Sequence, residues 1–162
     1  LVVLFLAFTL SGCGNRTPAV ADAAASQQQD IAAVHAFIEH VRDTFNSGNL
    51  DTFMEVFTED AVQFNPGMPD VVGRDAIRKL YADALAQNDI KVQFNTREVL
   101  VDGDLAYEGG TYSIHLTPRG DPKGSSVEVN NRHMHVLKRQ ADGSWKTWRM
   151  MTNSEVPVAT AN

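Results

Sequence analysis

The sequence predicts an α+β domain, and three observations carry that prediction. Apolar residues recur at helical spacing over about 30–46, 50–57 and 74–87, the apolar period changes to two after Asn88, and Asp102-Gly103 and Asp142-Gly143 break the second half into hairpin-linked segments. Helices first and strands after, joined by short turns, indicate an antiparallel sheet with helices packed on it, not a parallel α/β fold. A chain of 162 residues fits one such domain.

Residues 1–10 form an uncharged apolar stretch, too short to span a bilayer but suited to the h-region of a secretory signal. Leu10-Ser11-Gly12-Cys13 follows and resembles the lipobox of bacterial lipoproteins, in which the Cys thiol receives lipid. Cys13 is the only cysteine of the chain, and a core cysteine has no reason to sit behind such a run. The expected organisation is therefore a signal over 1–12, a lipid anchor on Cys13, a flexible tether over 13–29, a domain over 30–155 and a tail over 156–162. The expected location is the bacterial cell envelope. Gly14, where sorting to the inner membrane would favour Asp, points to the periplasmic side of the outer membrane if the host is Gram-negative.

Within the domain, Ile31, Val34, Ile38, Val41 and Phe45 make one stripe of a first helix over about 30–46, which Gly48 ends. Asn49 can cap a short second helix carrying Leu50, Phe53, Met54 and Phe57. Short extended pieces are expected over 61–65 and 71–72, around Pro66-Gly67 and Pro69, which forbid helix. A third helix over 74–87 carries Ile77, Leu80, Tyr81, Ala84 and Leu85 on one face. Strands are then expected over 91–101, 104–117, 127–139 and 145–153.

Five short segments, in order, resemble the SnoaL-like and ketosteroid-isomerase-like branch of the nuclear-transport-factor-two-like superfamily. They are Asn46-Ser47-Gly48-Asn49-Leu50-Asp51, Phe57-Thr58-Glu59-Asp60-Ala61-Val62, Gly73-Arg74-Asp75-Ala76-Ile77, Gly103-Asp104-Leu105-Ala106-Tyr107 and Asp142-Gly143-Ser144-Trp145-Lys146. The resemblance implies a cone: about three helices closing one side of a strongly curved antiparallel sheet, with a mostly apolar pocket between. It implies little about activity, because this fold hosts enzymes, binders and assembly modules.

A two-residue turn at Asp102-Gly103 would put Leu100 opposite Leu105 and Glu98 opposite Tyr107. Matching to the isomerase pattern places those four inside the cone with Thr111 and Ser113, with His133, His135 and Leu137 on the next strand and Trp148, Met150 and Thr152 on the last. It leaves Val99, Val101, Ala106, Tyr112, Ile114 and Leu116 outside, an apolar surface that suggests a homodimer formed through the sheet.

The isomerases of this branch use an Asp base before a Pro and a Tyr on the first helix. Here Asn65 precedes Pro66 and Val41 falls at the Tyr position, so steroid isomerisation by that mechanism is not expected. A second pattern has an Arg where Gly109 stands and an Asp where Met150 stands. Loss of both is what replacement of a buried ion pair as a unit looks like, leaving space beside Gly109 for His135 or for a ligand.

His135 is either a general acid or base, since imidazole titrates near neutrality, or a hydrogen-bonded core histidine. Glu98 and Tyr107 either serve it as catalytic partners or form a structural hydrogen bond. Asn65, Thr111, His133, Trp148, Met150 and Thr152 are the expected ligand-binding residues. His133 and His135 share a strand face as metal ligands must, but with His115 on the order of 13 Å away no third ligand is seen, and neither metal nor cofactor is expected. Twenty acidic residues against 14 basic ones, a formal charge of −6, and no basic run exclude a nucleic-acid surface.

The expected function is thus a lipid-anchored domain binding a small, largely apolar organic molecule, with cofactor-free isomerase, dehydratase or cyclase chemistry left open. A non-catalytic, dimerising module of the envelope is the alternative. The membrane is expected to be met only through the lipid on Cys13.

Overall fold

The computed structural model describes residues 18–120 and 126–154, so the expected signal, Cys13 and the C-terminal tail lie outside the described residues. The helices are α1 (Pro18–Ser47), α2 (Leu50–Met54) and α3 (Arg74–Gln87); the strands are β1 (Phe57–Phe64), β2 (Val71–Val72), β3 (Asn88–Asp102), β4 (Leu105–Pro118), β5 (Val127–Arg139) and β6 (Trp145–Ser154). They form one six-stranded sheet in the order β2-β1-β6-β5-β4-β3. Every neighbouring pair is antiparallel except β1 and β6, which run parallel. The α+β class and the helices-on-curved-sheet architecture are as the sequence predicts.

The predicted stripe of α1 is the one that packs: Val34, Ile38, Val41 and Phe45 are all buried. The helix begins at Pro18, however, not near Asp30, so the expected flexible tether is helical over its described part. Residues 22–29 are exposed on every side. Their Ala- and Gln-rich composition favours helix intrinsically, and extending a helix already nucleated by packing costs little.

At the other end Gly48, with φ of 75°, stops α1. Asn46, just before it, acts as a piece of strand: its Nδ2 donates to the Val92 carbonyl at 2.9 Å and its Oδ1 accepts from the Val92 N–H at 2.8 Å. The Asn49 side chain accepts from the N–H groups of Asp51 and Thr52, capping α2 as predicted. Phe57, expected in that helix, instead opens β1, because α2 ends at Met54.

Two core clusters sit between helices and sheet. The larger joins α1, α2 and α3 to β1 and β3 through Phe45, Phe53, Phe57 and Ile77, with Phe45, Phe53 and Tyr81 meeting edge to face at centroid distances of 5.0–5.7 Å. The smaller joins Val34 to Ala106, Leu137 and Trp145.

Two irregularities decide which side chains face this core. In β3 the pairing with β4 slips between Thr96 and Glu98, leaving Arg97 as an extra residue. In β6 the pairing with β5 slips between Val136 and Leu137, leaving Trp148 extra. Each bulge reverses the in-out alternation along its strand. Val92, Phe94 and Thr96 face inward before the first bulge and Val99 and Val101 after it; Trp145 and Thr147 face inward before the second and Met150 and Thr152 after it.

Candidate functional site

The β3–β4 hairpin turns at Gly103-Asp104, with Asp102 opposite Leu105, one residue later than the expected turn. Leu100 therefore pairs with Tyr107, and Glu98 with Gly109. Leu100, Leu105, Glu98 and Tyr107 still share one side of the hairpin, as expected, but that side is the outer one. Leu100 and Leu105 are 65% and 46% exposed, whereas Ala106 and Glu108 are buried and Val99, Val101, Tyr112, Ile114 and Leu116 pack on the core. The residues expected to form an outward apolar dimer surface are thus interior residues.

Four expected site residues therefore lie outside the interior, three on the outer side of β3 and β4 and Trp148 at the β6 bulge. Glu98 and Tyr107 meet on the outer face, where the Tyr107 hydroxyl donates to Glu98 Oε1 at 2.9 Å. That hydrogen bond, with some burial, raises the Tyr107 phenol above its ordinary pKa. Thr111 lies on the outer face beside Asn95. Trp148, the extra residue of the β6 bulge, donates its Nε1 to Asp60 Oδ2 at 2.9 Å and has Lys138 Nζ 3.8 Å from its ring centroid. The space expected beside Gly109 is not ligand volume either, since the Tyr107 hydroxyl already occupies the place a Cβ would take.

Inside, the helices and the concave face of the sheet enclose a cavity of about 190 Å³. Its walls are mainly apolar: Phe45, Phe53, Phe57, Val92, Phe94 and Ile114 line it, with Val41 at the position where the resemblance would place a Tyr. Asn65, His133, His135, Met150 and Thr152, all expected site residues, line it too. Gln63 and Tyr81 join them, and neither was singled out from sequence for the site.

Two polar groupings face this space. At the end of β1, Gln63 Nε2 donates to Asn65 Oδ1 at 2.9 Å and Thr152 Oγ1 donates to the same oxygen at 3.1 Å. Gln63 Oε1 and Asn65 Nδ2 are left buried without a partner, one free acceptor beside one free donor. Burial raises the Tyr81 and Tyr112 phenols, so both stay protonated and can donate.

The second grouping is built by strand register. Pairing of β4 with β5 sets Glu108 opposite His135 and Gly110 opposite His133, all facing inward. His133 Nε2 lies 3.0 Å from both carboxylate oxygens of Glu108. His135 Nδ1 is 3.1 Å from Oε2 but off the line a hydrogen bond requires, so both ring nitrogens of His135 and Nδ1 of His133 lack hydrogen-bond partners. The β3 bulge brings Thr96 in, and its hydroxyl donates to Glu108 Oε1 at 2.6 Å. Phe94 packs edge-on against both imidazoles at centroid distances of 5.1 and 5.9 Å. Gly110 makes room for this: a Cβ there would run into the carbonyl oxygen of Asn95 at the bulge.

Charge on Glu108 is opposed by burial, but the His133 hydrogen bond and the attraction of the two imidazoles lying against it outweigh that and hold the carboxyl below its ordinary range. Burial lowers the His135 pKa, with Glu108 partly compensating, so its imidazole is neutral at neutral pH. The outcome is a buried carboxylate flanked by two imidazoles at the edge of an apolar cavity. The sequence reading found no third group beside the histidine pair, and the structure puts Glu108 there. Its signal was present: an acid at the centre of the alternating run Ala106, Tyr112, Ile114 and Leu116 needs a partner once that run is read as interior.

No curated protein matches the chain by sequence. Among solved structures, an NTF2-like protein with a cystatin-like fold from Novosphingobium aromaticivorans superposes with a TM-score of 0.73 at 18% identity, over 91% of this chain and 96% of that one. A ketosteroid isomerase-like protein from Erwinia carotovora atroseptica gives 0.70 at 22%, over 79% and 98%. A protein from Catenulispora acidiphila, solved in complex with S-DNPA, gives 0.65 at 18%, over 80% and 96%. These likenesses establish the fold. The family model of the SnoaL-like domain matches residues 34–148, from the first buried residue of α1 into β6, and the chain belongs to that family.

Proposed function

We propose that the cavity binds a small, largely apolar organic molecule whose polar group is met by the Gln63–Asn65 pair and by His135. The observation that carries this reading is the coexistence, in one cavity of about 190 Å³, of apolar walls with unpartnered polar atoms on Gln63, Asn65 and His135. Buried polar atoms left unpaired cost stability in the free protein, and a ligand that pairs them recovers it. The Catenulispora acidiphila neighbour, in complex with S-DNPA, supports ligand binding as a use of this fold.

Turnover, on this reading, is cofactor-free proton transfer of the isomerase, dehydratase or cyclase type. Glu108 beside Nδ1 of His135 favours the tautomer with its proton on Nδ1, leaving the Nε2 lone pair as the base. Glu108 takes the part that the sequence assigned to Glu98. Asn65 cannot accept a proton at neutral pH, so it positions rather than reacts.

The test uses 2-naphthol, an apolar bicycle with one hydroxyl, followed by its fluorescence. Saturable one-to-one binding, weakened in Asn65→Ala and in His135→Gln with the fold intact by circular dichroism, supports the reading. A folded wild-type protein that binds neither 2-naphthol nor any co-purified molecule seen by native mass spectrometry overturns it.

A second reading, the dimerising module, draws on exposed Leu100, Leu105, Val127, Val129, Met134 and Met151, a different apolar set from the one expected. Attachment to the envelope through lipid on Cys13 belongs to both readings.

A further inference from the structure

We propose that Glu108, His133 and His135 form a binding site for one divalent first-row transition metal, held by Glu108 Oε2, His133 Nε2 and His135 Nδ1 and open toward the cavity. The inference does not depend on the organic ligand proposed above.

The geometry is close to what such an ion demands. One ligand atom from each of the three residues lies within 4.8 Å of the others, and all three residues are buried. Bonds of about 2.0–2.1 Å at tetrahedral angles put neighbouring ligand atoms about 3.3 Å apart. Glu108 Oε2 now stands 3.0 Å from His133 Nε2 and 3.1 Å from His135 Nδ1, so these two edges of the site need only a few tenths of an ångström of expansion to match a bound ion.

The donor chemistry fits as well. Two imidazoles and one carboxylate suit zinc, cobalt and iron(II) better than magnesium or calcium, which prefer all-oxygen sites. Thr96 donates to Oε1 of Glu108, which orients the carboxylate and leaves Oε2 for the metal. Without an ion, His135 Nδ1 is a buried nitrogen within 3.1 Å of a carboxylate oxygen and still without a hydrogen bond, which a metal at that point would resolve.

Because His133 and His135 line the cavity and Glu108 lies behind them, the unfilled coordination position faces the cavity. An oxygen of a bound molecule, or water, would take it. A metal on Nδ1 also places the ring proton of His135 on Nε2, so the loaded histidine donates into the cavity and cannot act as a base there. Metal loading and proton abstraction by His135 are therefore exclusive states of one site.

The experiment uses the full chain carrying Cys13→Ser, so that no thiol competes, after treatment with a chelator. Titration with Co²⁺ is expected to give one equivalent of saturable binding with the intense visible bands of a four-coordinate site, and Zn²⁺ to displace it. Nitrogen chemical shifts of the histidine rings should report Zn²⁺ on Nε2 of one histidine and Nδ1 of another, a readout that needs no variant. His133→Gln and His135→Gln should each weaken binding at least about a hundredfold, since loss of a mere outer-shell partner already costs 10–100-fold. Absence of stoichiometric binding by the folded protein, or binding that survives both substitutions, overturns the proposal. Loss of 2-naphthol binding with Co²⁺ binding retained would instead count against the organic-ligand reading alone.

Discussion

Replacing Glu108 by Gln tests the buried carboxylate–imidazole unit most directly, because the side chain keeps its shape and loses only its charge. In the wild type the carboxylate accepts from the Thr96 hydroxyl at 2.6 Å and faces His133 Nε2 at 3.0 Å through both oxygens. A hydrogen bond to a buried charged group contributes about 1.5–3 kcal/mol, and a neutral one about half that. The amide can still accept from Thr96, but its NH₂ confronts an imidazole nitrogen that had been donating to a carboxylate. Relief of the desolvation cost of a buried charge works in the opposite direction. The net loss at neutral pH should be about 2 kcal/mol.

Urea unfolding of the metal-free protein measures it. With a slope of about 2 kcal/mol per molar for a domain of this size, the midpoint should fall by about 1 M. The difference should also depend on pH with a definite sign. The folded-state pKa of Glu108 lies below its ordinary value of 4.5, so its contribution is complete above that value and is lost as the pH falls toward the folded one. Wild type and variant should therefore converge on acidification. A midpoint shift at neutral pH under about a quarter of that expected, or one that grows on acidification, would refute the reasoning.

Four further outcomes are expected. Asn46→Ala should cost about 1–3 kcal/mol in the same assay, because it removes both hydrogen bonds to the Val92 backbone and leaves that peptide unpaired where α1 meets β3. Gly110→Ala should cost about 1–3 kcal/mol, since the new methyl meets the Asn95 carbonyl, which is backbone and cannot swing aside. By contrast Gly103→Ala meets no neighbour and should cost less, through its φ of 57° alone. In a bacterial host, Cys13→Ser should abolish incorporation of labelled palmitate and shift the protein from the detergent phase to the aqueous phase; palmitate retained in the variant would remove the anchor from the reading.

How far the sequence could be read depended on the range of the interactions involved. Three-four spacing places Val34, Ile38, Val41 and Phe45 on one side of α1, and Gly48 and Asn49 end one helix and begin the next. These are local constraints written within a few residues, and the structure obeys them. The α3 boundaries at Arg74 and Gln87 and the β5 boundaries at Val127 and Arg139 were legible for the same reason. The five ordered segments carried the family, because they mark turns and element starts that any chain of this fold must place in that order.

Interior and exterior on the sheet were not legible. Alternation divides a strand into two faces without saying which is inside, and one extra residue exchanges them. Arg97 and Trp148 are such residues, and neither is a Gly or Pro that would announce a bulge. Glu98 and Trp148 lie at these bulges, whereas Tyr107, Thr111, Tyr112 and Ile114 lie on β4, whose alternation is unbroken but whose inner side was assigned the wrong way round, so Glu108 went unnoticed among them. His133 and His135, on a strand whose alternation is intact through that stretch, were placed correctly on the inner face. The sequence by itself thus determined the elements, their order and the family. Only the pairing of β4 with β5, a contact between residues 27 positions apart, decided that Glu108 meets His135. Strand register is set by cross-strand packing and bulges, and neither is encoded in the local spacing of either strand.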